Sequence, residues 1–179
     1  SIFSFIGISL GVAVLIIVMS VMNGFRTELI NKIVGFNSHI TVKSYDNNGI
    51  QRDKLDNRNL KLISKNLIFS NSGEAIILKN NTSKGIVLRG YQAKDFSNLT
   101  IIKNDKFKGN NSLLDKDFIS IGNELSFSLD LKIGDEITLM SPSGVETIIG
   151  SMPKQKTFIV TSIFNSGLAD FDNNIALIN

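Results

Sequence analysis

SIFSFIGISLGVAVLIIVMSVMNGF, residues Ser1 to Phe25, contains no charged side chain, although the 179-residue chain carries 19 Lys and Arg and 16 Asp and Glu. At about 1.5 Å of rise per residue, the run from Ile2 to Met22 predicts a helix of roughly 31 Å. That matches the hydrocarbon thickness of a bilayer. A secretory signal peptide is the rival reading, but it calls for a basic leading segment, an apolar run of only about 7–15 residues and a small-x-small cleavage site. Nothing basic precedes this run, it is too long, and Ser20-Val21-Met22-Asn23 is a poor cleavage site. The sequence therefore predicts a retained membrane helix over residues 1–24. Within it, Gly7 and Gly11 have the small-xxx-small spacing that lets two helix backbones approach closely.

Beyond Asn23-Gly24, the residues Phe25, Leu29, Ile30, Ile33 and Val34 recur at helical spacing between Arg26, Glu28 and Lys32. This predicts an amphipathic juxtamembrane helix over 25–36, with Gly35 as its stop. Residues 37–179 form the remaining domain. Alternation predicts a first strand over 39–43, and Asp46-Asn47-Asn48-Gly49 reads as a turn. A weak helix is expected over 53–66, and short strands over 67–69, 75–78 and 86–88. A helical turn follows over 93–99, then a polar loop over 104–112. Further expectations are a strand over 118–121, a helix over 123–129, and strands over 136–140, 157–164 and 174–178. Strands and short helices interleave without a βαβ repeat, so the class is α+β. The chain opens on a serine inside an apolar run, with no initiator Met and no basic flank, which predicts an excerpt of a longer protein, cut at one or both ends; the resemblance described below implies that the domain is incomplete at its C-terminus.

Several chemistries find no support in these residues. A formal charge of +3 with scattered Lys and Asn is not a nucleic-acid footprint. There is no cysteine, which excludes disulfides and thiolate sites. No phosphate-cradling loop or nucleophile elbow is present, so neither ATP hydrolysis nor Ser-based catalysis is expected of this chain, and no cofactor is implied. His39 is the single histidine and reads as a strand-edge or surface residue rather than a metal ligand. Asp170, Asp172 and Asn174 open like a calcium loop. Ile175 then stands where the sharp turn requires glycine, so a loop with Asx turns is the reading and no metal is expected.

Two sequence blocks carry a resemblance. Gly7-Ile8-Ser9-Leu10-Gly11-Val12-Ala13-Val14-Leu15-Ile16, running into Ser20-Val21-Met22-Asn23-Gly24-Phe25-Arg26-Thr27-Glu28-Leu29, resembles the first membrane helix of the LolC/LolE permeases. Ile121-Gly122-Asn123-Glu124-Leu125, then Leu129, Leu131 and Gly134-Asp135-Glu136-Ile137-Thr138-Leu139, resembles the I-G-x-x-L…L-x-L-x-x-G-D-x-I-x-L pattern of the wider MacB/FtsX superfamily. A third stretch over 164–177, with Gly167 and Phe171-Asp172, is similar to the end of the same extracytoplasmic domain.

The resemblance implies a MacB-like periplasmic core domain on an inner-membrane permease, part of the ABC transporter that releases lipoproteins. It further implies a separate ATPase subunit, a second permease subunit (identical or different), a lipoprotein substrate and a soluble periplasmic carrier, LolA. Val18, Val21 and Met22 match positions at the outer end of the first helix that face the lipoprotein cavity.

Pro142 and Pro153 are the only prolines, and each is expected to mark where regular strand pairing stops. Between them lie Ser143, Gly144, Val145, Glu146, Thr147, Ile148, Ile149, Gly150, Ser151 and Met152. By themselves these residues read as a long hairpin loop. The resemblance makes the segment a protruding hairpin that docks the carrier, with Val145, Ile148 and Ile149 as its apolar contacts. An alternative is an FtsX-like signalling protein whose outer domain regulates a periplasmic partner. A third is a membrane-anchored binding domain without a transport role.

Overall fold

Exposed apolar side chains set the character of the first helix. The computed structural model describes residues 2–36, 38, 40–45, 49–50, 59–60, 62, 64, 67–79, 82–99, 101–102, 107–110, 117–147 and 150–179. The chain divides into two units, Ser1–His39 and Ile40–Asn179.

The first unit is a single helix, α1 (Ile2–Phe36), of 35 residues, or about 52 Å at 1.5 Å per residue. Its stretch Ile2–Ile30 is long and apolar enough to cross a membrane, and none of it is buried within the protein. Phe3, Ile8 and Met19 are among the large apolar side chains left open, an arrangement that water would penalise and lipid would not. The helix runs through Asn23-Gly24 without a break. Thr27 Oγ1 donates to the Asn23 carbonyl at 2.9 Å, and Lys32 pairs with Glu28 one turn away at 3.5 Å. The expected span and juxtamembrane helix are thus one continuous element, with its polarity changing near Arg26.

The second unit is built on strands. Among the described residues these are β1 (Ser70–Lys79), β2 (Thr82–Tyr91), β3 (Lys108–Gly109), β4 (Phe118–Gly122), β5 (Glu136–Thr147), β6 (Gly150–Phe164) and β7 (Ile175–Ile178). Three short helices sit between them: α2 (Ala93–Phe96), α3 (Asn123–Ser128) and α4 (Ala169–Asn174). The strand order is β3-β6-β4-β7-β2-β1-β5, and β5 also pairs with β6. Six strands therefore pair in a ring, β6-β4-β7-β2-β1-β5 and back to β6, with β3 added outside on β6. The β4–β6 and β2–β7 pairs are parallel, and the other pairs are antiparallel.

A shared core accompanies the closure. Ala75 and Ile77 of β1, Ile86 of β2, Ile119 and Ile121 of β4, Ile137 and Leu139 of β5, Phe158 and Val160 of β6 and Ala176 of β7 join one buried cluster. β1, β4, β5 and β6 supply it with alternate residues, while β4 and β7 are also buried at the positions between, from Ile119 to Gly122 and from Ile175 to Leu177. Leu125 of α3 and Leu131 after it complete the cluster.

Four expectations are corrected. The described part of the expected strand over 39–43 is not a strand, and Ile40 and Val42 are 82% and 70% exposed. Alternation marks a strand only where a ladder and a core receive it. Residues 67–69 also lie outside the sheet, because the β1–β2 ladder starts at Ser70↔Tyr91.

Residues 169–174 form a short helix rather than a loop of Asx turns. The Asp172 carboxylate is taken up by the backbone N–H of Ser166, at 2.9 and 3.2 Å to its two oxygens. Finally, the segment between the prolines is not a long loop: regular pairing breaks beside Pro142, as expected, but resumes at Gly144↔Pro153 and runs on to Thr147↔Gly150. Within the weak helix expected over 53–66, Asn59, Leu60 and Leu62 are helical. His39, residues 46–48 and most of 53–66 lie outside the described residues, as do Ile148 and Ile149.

Candidate functional site

The second sequence block is a structural clamp. Ile121 and Leu125 are fully buried, and Gly122 stands at the N-terminus of α3 with ordinary φ and ψ of −73° and 154°. Its need for glycine is spatial, since a Cβ there would lie 2.1 Å from the Asp172 carbonyl oxygen and 2.5 Å from the Asp172 Cα. Gly134 is the opposite case. Nothing stands near it, but its φ of +99° favours glycine.

The neighbours of Gly134 hold the turn in place. The Gly134 N–H donates to the Val160 carbonyl at 2.7 Å, and the Val160 N–H donates to the Asp135 carbonyl at 2.9 Å. The Asp135 carboxylate accepts from the Lys132 N–H at 3.1 Å and from Lys79 Nζ at 2.6 Å. The Lys79 hydrogen bond, followed by that from Lys132, holds the Asp135 carboxyl below the usual carboxylate range. Ser126 closes the preceding turn, its carbonyl accepting from the Leu131 N–H at 2.8 Å and its hydroxyl donating to the Leu131 carbonyl at 2.7 Å.

These residues tie β1, α3 and β6 to the turn that leads into β5. Lys84 adds a further tie: its Nζ donates to Ser128 Oγ at 3.3 Å and to Asn173 Oδ1, linking β2 to residues of α3 and α4. Partial burial lowers its pKa. Among the described residues no group of three or more His, Asp or Glu side chains could hold a metal ion.

What reaches outward is the β5–β6 hairpin. The last β1–β5 pair is Ile76↔Met140, and the first β4–β6 pair is Phe118↔Ile159. Past Met140↔Gln155, no third strand accompanies the two among the described residues. The shorter arm, from Gln155 to Gly150, allows up to roughly 17 Å at about 3.3 Å per residue.

Near the base, Lys156 Nζ pairs with Asp117 Oδ1 at 2.7 Å and lies 5.0 Å from the centre of the Phe158 ring. Farther out, the register sets Gly144 against Pro153, Val145 against Met152, Glu146 against Ser151 and Thr147 against Gly150. Pro142 and Pro153 are exposed, and Met152 is 62% exposed. Sequence reading did not single out Met152 as an apolar contact, although its place opposite Val145 would have marked it had the register been known.

The α1 candidates fall on one face. At 100° per residue, Gly7, Gly11, Val18, Val21 and Met22 lie within an arc of about 100°. Val18, Val21 and Met22 are open, and nothing lies within 4 Å of a Cβ placed at Gly7 or Gly11. The glycines occupy the N-terminal half of this face and the three larger residues its C-terminal half.

An apolar helix of membrane length and a ring of strands bearing a two-stranded projection define a membrane protein with a β-rich domain. The sequence profile of the MacB-like periplasmic core domain matches residues 1–178, and the chain belongs to that family. Within the family it is similar to lipoprotein-releasing system transmembrane proteins. It is 28% identical to LolC of Neisseria meningitidis serogroup B over 97% of this chain and 43% of that protein. It is 26% identical to LolC of Xylella fastidiosa over 98% and 43% respectively. It is 30% identical to LolE of Haemophilus influenzae over 90% and 40%. The chain thus spans less than half the length of these relatives.

Proposed function

We propose that this chain belongs to a non-catalytic permease subunit of a lipoprotein-releasing ABC transporter. On this reading α1 lies in the inner membrane and the strand domain in the periplasm. The observation that carries it is the unaccompanied hairpin beyond Met140↔Gln155 on a domain that follows an apolar helix of membrane length. Similarity to LolC and LolE over nearly the whole chain supports the same reading.

The energetics favour such a division of labour. Exposing acyl chains to water costs about 0.8 kcal/mol per CH₂, so release of a lipoprotein needs an energy source and a shielded hand-over. A separate ATPase subunit supplies the energy, and a second permease subunit, alike or different, completes the path. The glycine half of the α1 face packs against a neighbouring helix, and Val18, Val21 and Met22 line the route of the lipoprotein near the outer leaflet. The hairpin Pro142–Pro153 docks a soluble LolA-type carrier through Val145, Ile148, Ile149 and Met152.

The test is ATP-dependent transfer of a labelled lipoprotein from proteoliposomes holding the full transporter to soluble carrier. Replacing residues 141–154 by a Gly-Gly turn should abolish transfer to the carrier while ATP hydrolysis persists. Undiminished transfer by that variant would overturn the docking role, and absence of any ATP-dependent release by the intact assembly would overturn the transport reading.

A further inference from the structure

Asp135 fixes which way the backbone groups of β1 point. The Val160 N–H donates to the Asp135 carbonyl, so Asp135 turns its backbone toward β6. Alternation along the strand sends the N–H and C=O groups of Thr138 and Met140 the other way, toward β1. Their partners there are Leu78 and Ile76, whose own backbone groups therefore face β5. The β1–β2 register runs without a shift from Lys79↔Thr82 to Ser70↔Tyr91. The same alternation thus points the backbone of Glu74, Ser72 and Ser70 to the edge that Ile76 and Leu78 use. Ala75, Gly73 and Asn71 face β2 instead.

Past Ile76↔Met140, no strand accompanies that edge among the described residues. Had the pairing continued, Ala75 would face Ser141 and Ser70 would face Glu146. Instead β5 goes on as one arm of the hairpin with β6. The open half of β1 and the hairpin therefore part at the same rung, and both run from it toward the same end of the sheet. Ser70, Asn71, Ser72, Gly73 and Glu74 are all exposed. Backbone N–H and C=O groups are strong hydrogen-bonding groups, and an open row of them is a template for a further strand.

The side chains say what kind of strand fits. Permanent interfaces are the more apolar ones, but residues 70–74 offer two hydroxyls, an amide, a glycine and a carboxylate. A second copy of this chain, or another segment of it, would bury no large apolar side chain of this edge. What the edge offers is main-chain pairing, which suits a soluble partner that docks and then leaves.

We propose that the edge of β1 over residues 70–74 is a second carrier contact, to which an exposed strand of the soluble carrier adds while the hairpin holds the carrier. The occupant rests on the docking role proposed above. The open edge stands on the strand register.

Proline distinguishes the two edges of one strand. At Ser72 it removes an N–H that faces outward, which costs the domain no ladder bond. At Asn71 it removes one that faces β2. In the full-length transporter, Asn71→Pro should lower the melting temperature and Ser72→Pro should not. Ser72→Pro should weaken binding of soluble carrier at least about tenfold, because the opposing carrier carbonyl is left without its donor. Ser72→Ala should leave binding unchanged, since the main chain is what is read. Amide exchange resolved by residue needs no substitution, and it decides the matter where Ser72→Pro disturbs the fold. Added carrier should slow exchange at Ser70, Ser72 and Glu74 at least about tenfold, the factor one decade of affinity implies.

Carrier binding unchanged by a folded Ser72→Pro protein would overturn the edge contact, as would no slowing at these three amides. Slow exchange there before carrier is added would also overturn it, by showing the edge already filled by this protein. In each case the hairpin variant of the transfer assay still decides the docking role separately. No binding of carrier by the unaltered transporter would overturn both.

Discussion

The backbone of Asp172 passes over Gly122 so closely that a Cβ on Gly122 would lie 2.1 Å from the Asp172 carbonyl oxygen. Two distant sequence blocks, one around α3 and the other around α4, meet at this contact. A methyl group there cannot be absorbed by a side-chain rotation, because its neighbours are backbone atoms. Gly122→Ala should destabilise the domain by about 1–3 kcal/mol, the usual range for an overpacked core. Urea unfolding reads it, and a loss under about 0.5 kcal/mol would show that α4 moves aside freely.

Asp172 is 2% exposed. Burial raises its pKa above the ordinary 3.8, and the hydrogen bonds from Ser166 and Gly167 only partly offset this. Between 3.8 and its raised value, the folded state binds the proton more readily than the unfolded chain does. The stability it contributes is therefore present below 3.8 and is lost as pH rises through the folded value. Relative to Asp172→Asn, the wild-type domain should gain stability on acidification from neutral pH toward 3.8. Parallel stability-versus-pH curves would contradict this. Asp172→Ala should cost about 1–3 kcal/mol by leaving the Ser166 N–H without its acceptor.

Asp135 titrates in the opposite sense. Lys79 and Lys132 hold its pKa below 3.8 in the folded state. Its contribution is present above 3.8 and disappears as pH falls through the depressed value. Asp135→Asn should therefore remove part of the acid lability below 3.8 and lower stability at neutral pH. Chemical unfolding at pH 3 and pH 7 separates the two effects, and an equal loss at both would remove the charge-based account.

Ser120 and Ser162 are Cα partners at the register shift of the β4–β6 pair, fully buried, and neither hydroxyl has a hydrogen-bond partner among the described residues. An unpaired buried hydroxyl is a cost without return. Ser120→Ala and Ser162→Ala should each be neutral or stabilising by up to about 1 kcal/mol. Destabilisation beyond about 1 kcal/mol in thermal melts would reveal a bond these hydroxyls make in solution.

For the hairpin, the expectation is binding without stability. Met152→Asp, or Ile148→Asp with Ile149→Asp, should weaken carrier binding at least about tenfold, since burying one such side chain is worth about 1.5–3 kcal/mol and about 1.4 kcal/mol is one decade. The melting temperature should barely move, as surface substitutions stay within about 0.5 kcal/mol. Calorimetric titration beside a melt checks both, and a collapsed melt would place these residues in the core instead.

Composition and period alone made much of this protein legible. An uncharged stretch of membrane length identifies α1 without reference to anything else, because lipid selects for local apolarity. Short apolar runs bounded by polar or glycine-containing turns located the inner parts of β1 and β2, and similar strand-like stretches located β4, β5 and β6, since buried strands are short and apolar between turn residues. The signal failed where the decisive partner is remote. Ile40 and Val42 alternate like a strand but find no ladder. Lys108-Gly109 pairs with β6 without any apolar signal at all. The proline pair was visible in the sequence, and regular pairing does break beside Pro142, but its resumption at Gly144↔Pro153 was not legible. Whether pairing stops or shifts depends on which residue of β6 faces each residue of β5, and that is set by the ladder anchored at Glu136↔Ile159. Likewise Gly122 in the motif is only a glycine until Asp172, 50 positions later, arrives above it. Local propensity and hydrophobic period are properties of neighbouring residues and can be read from them; register, ring closure and close backbone approach are relations between distant segments, and only the folded chain decides them.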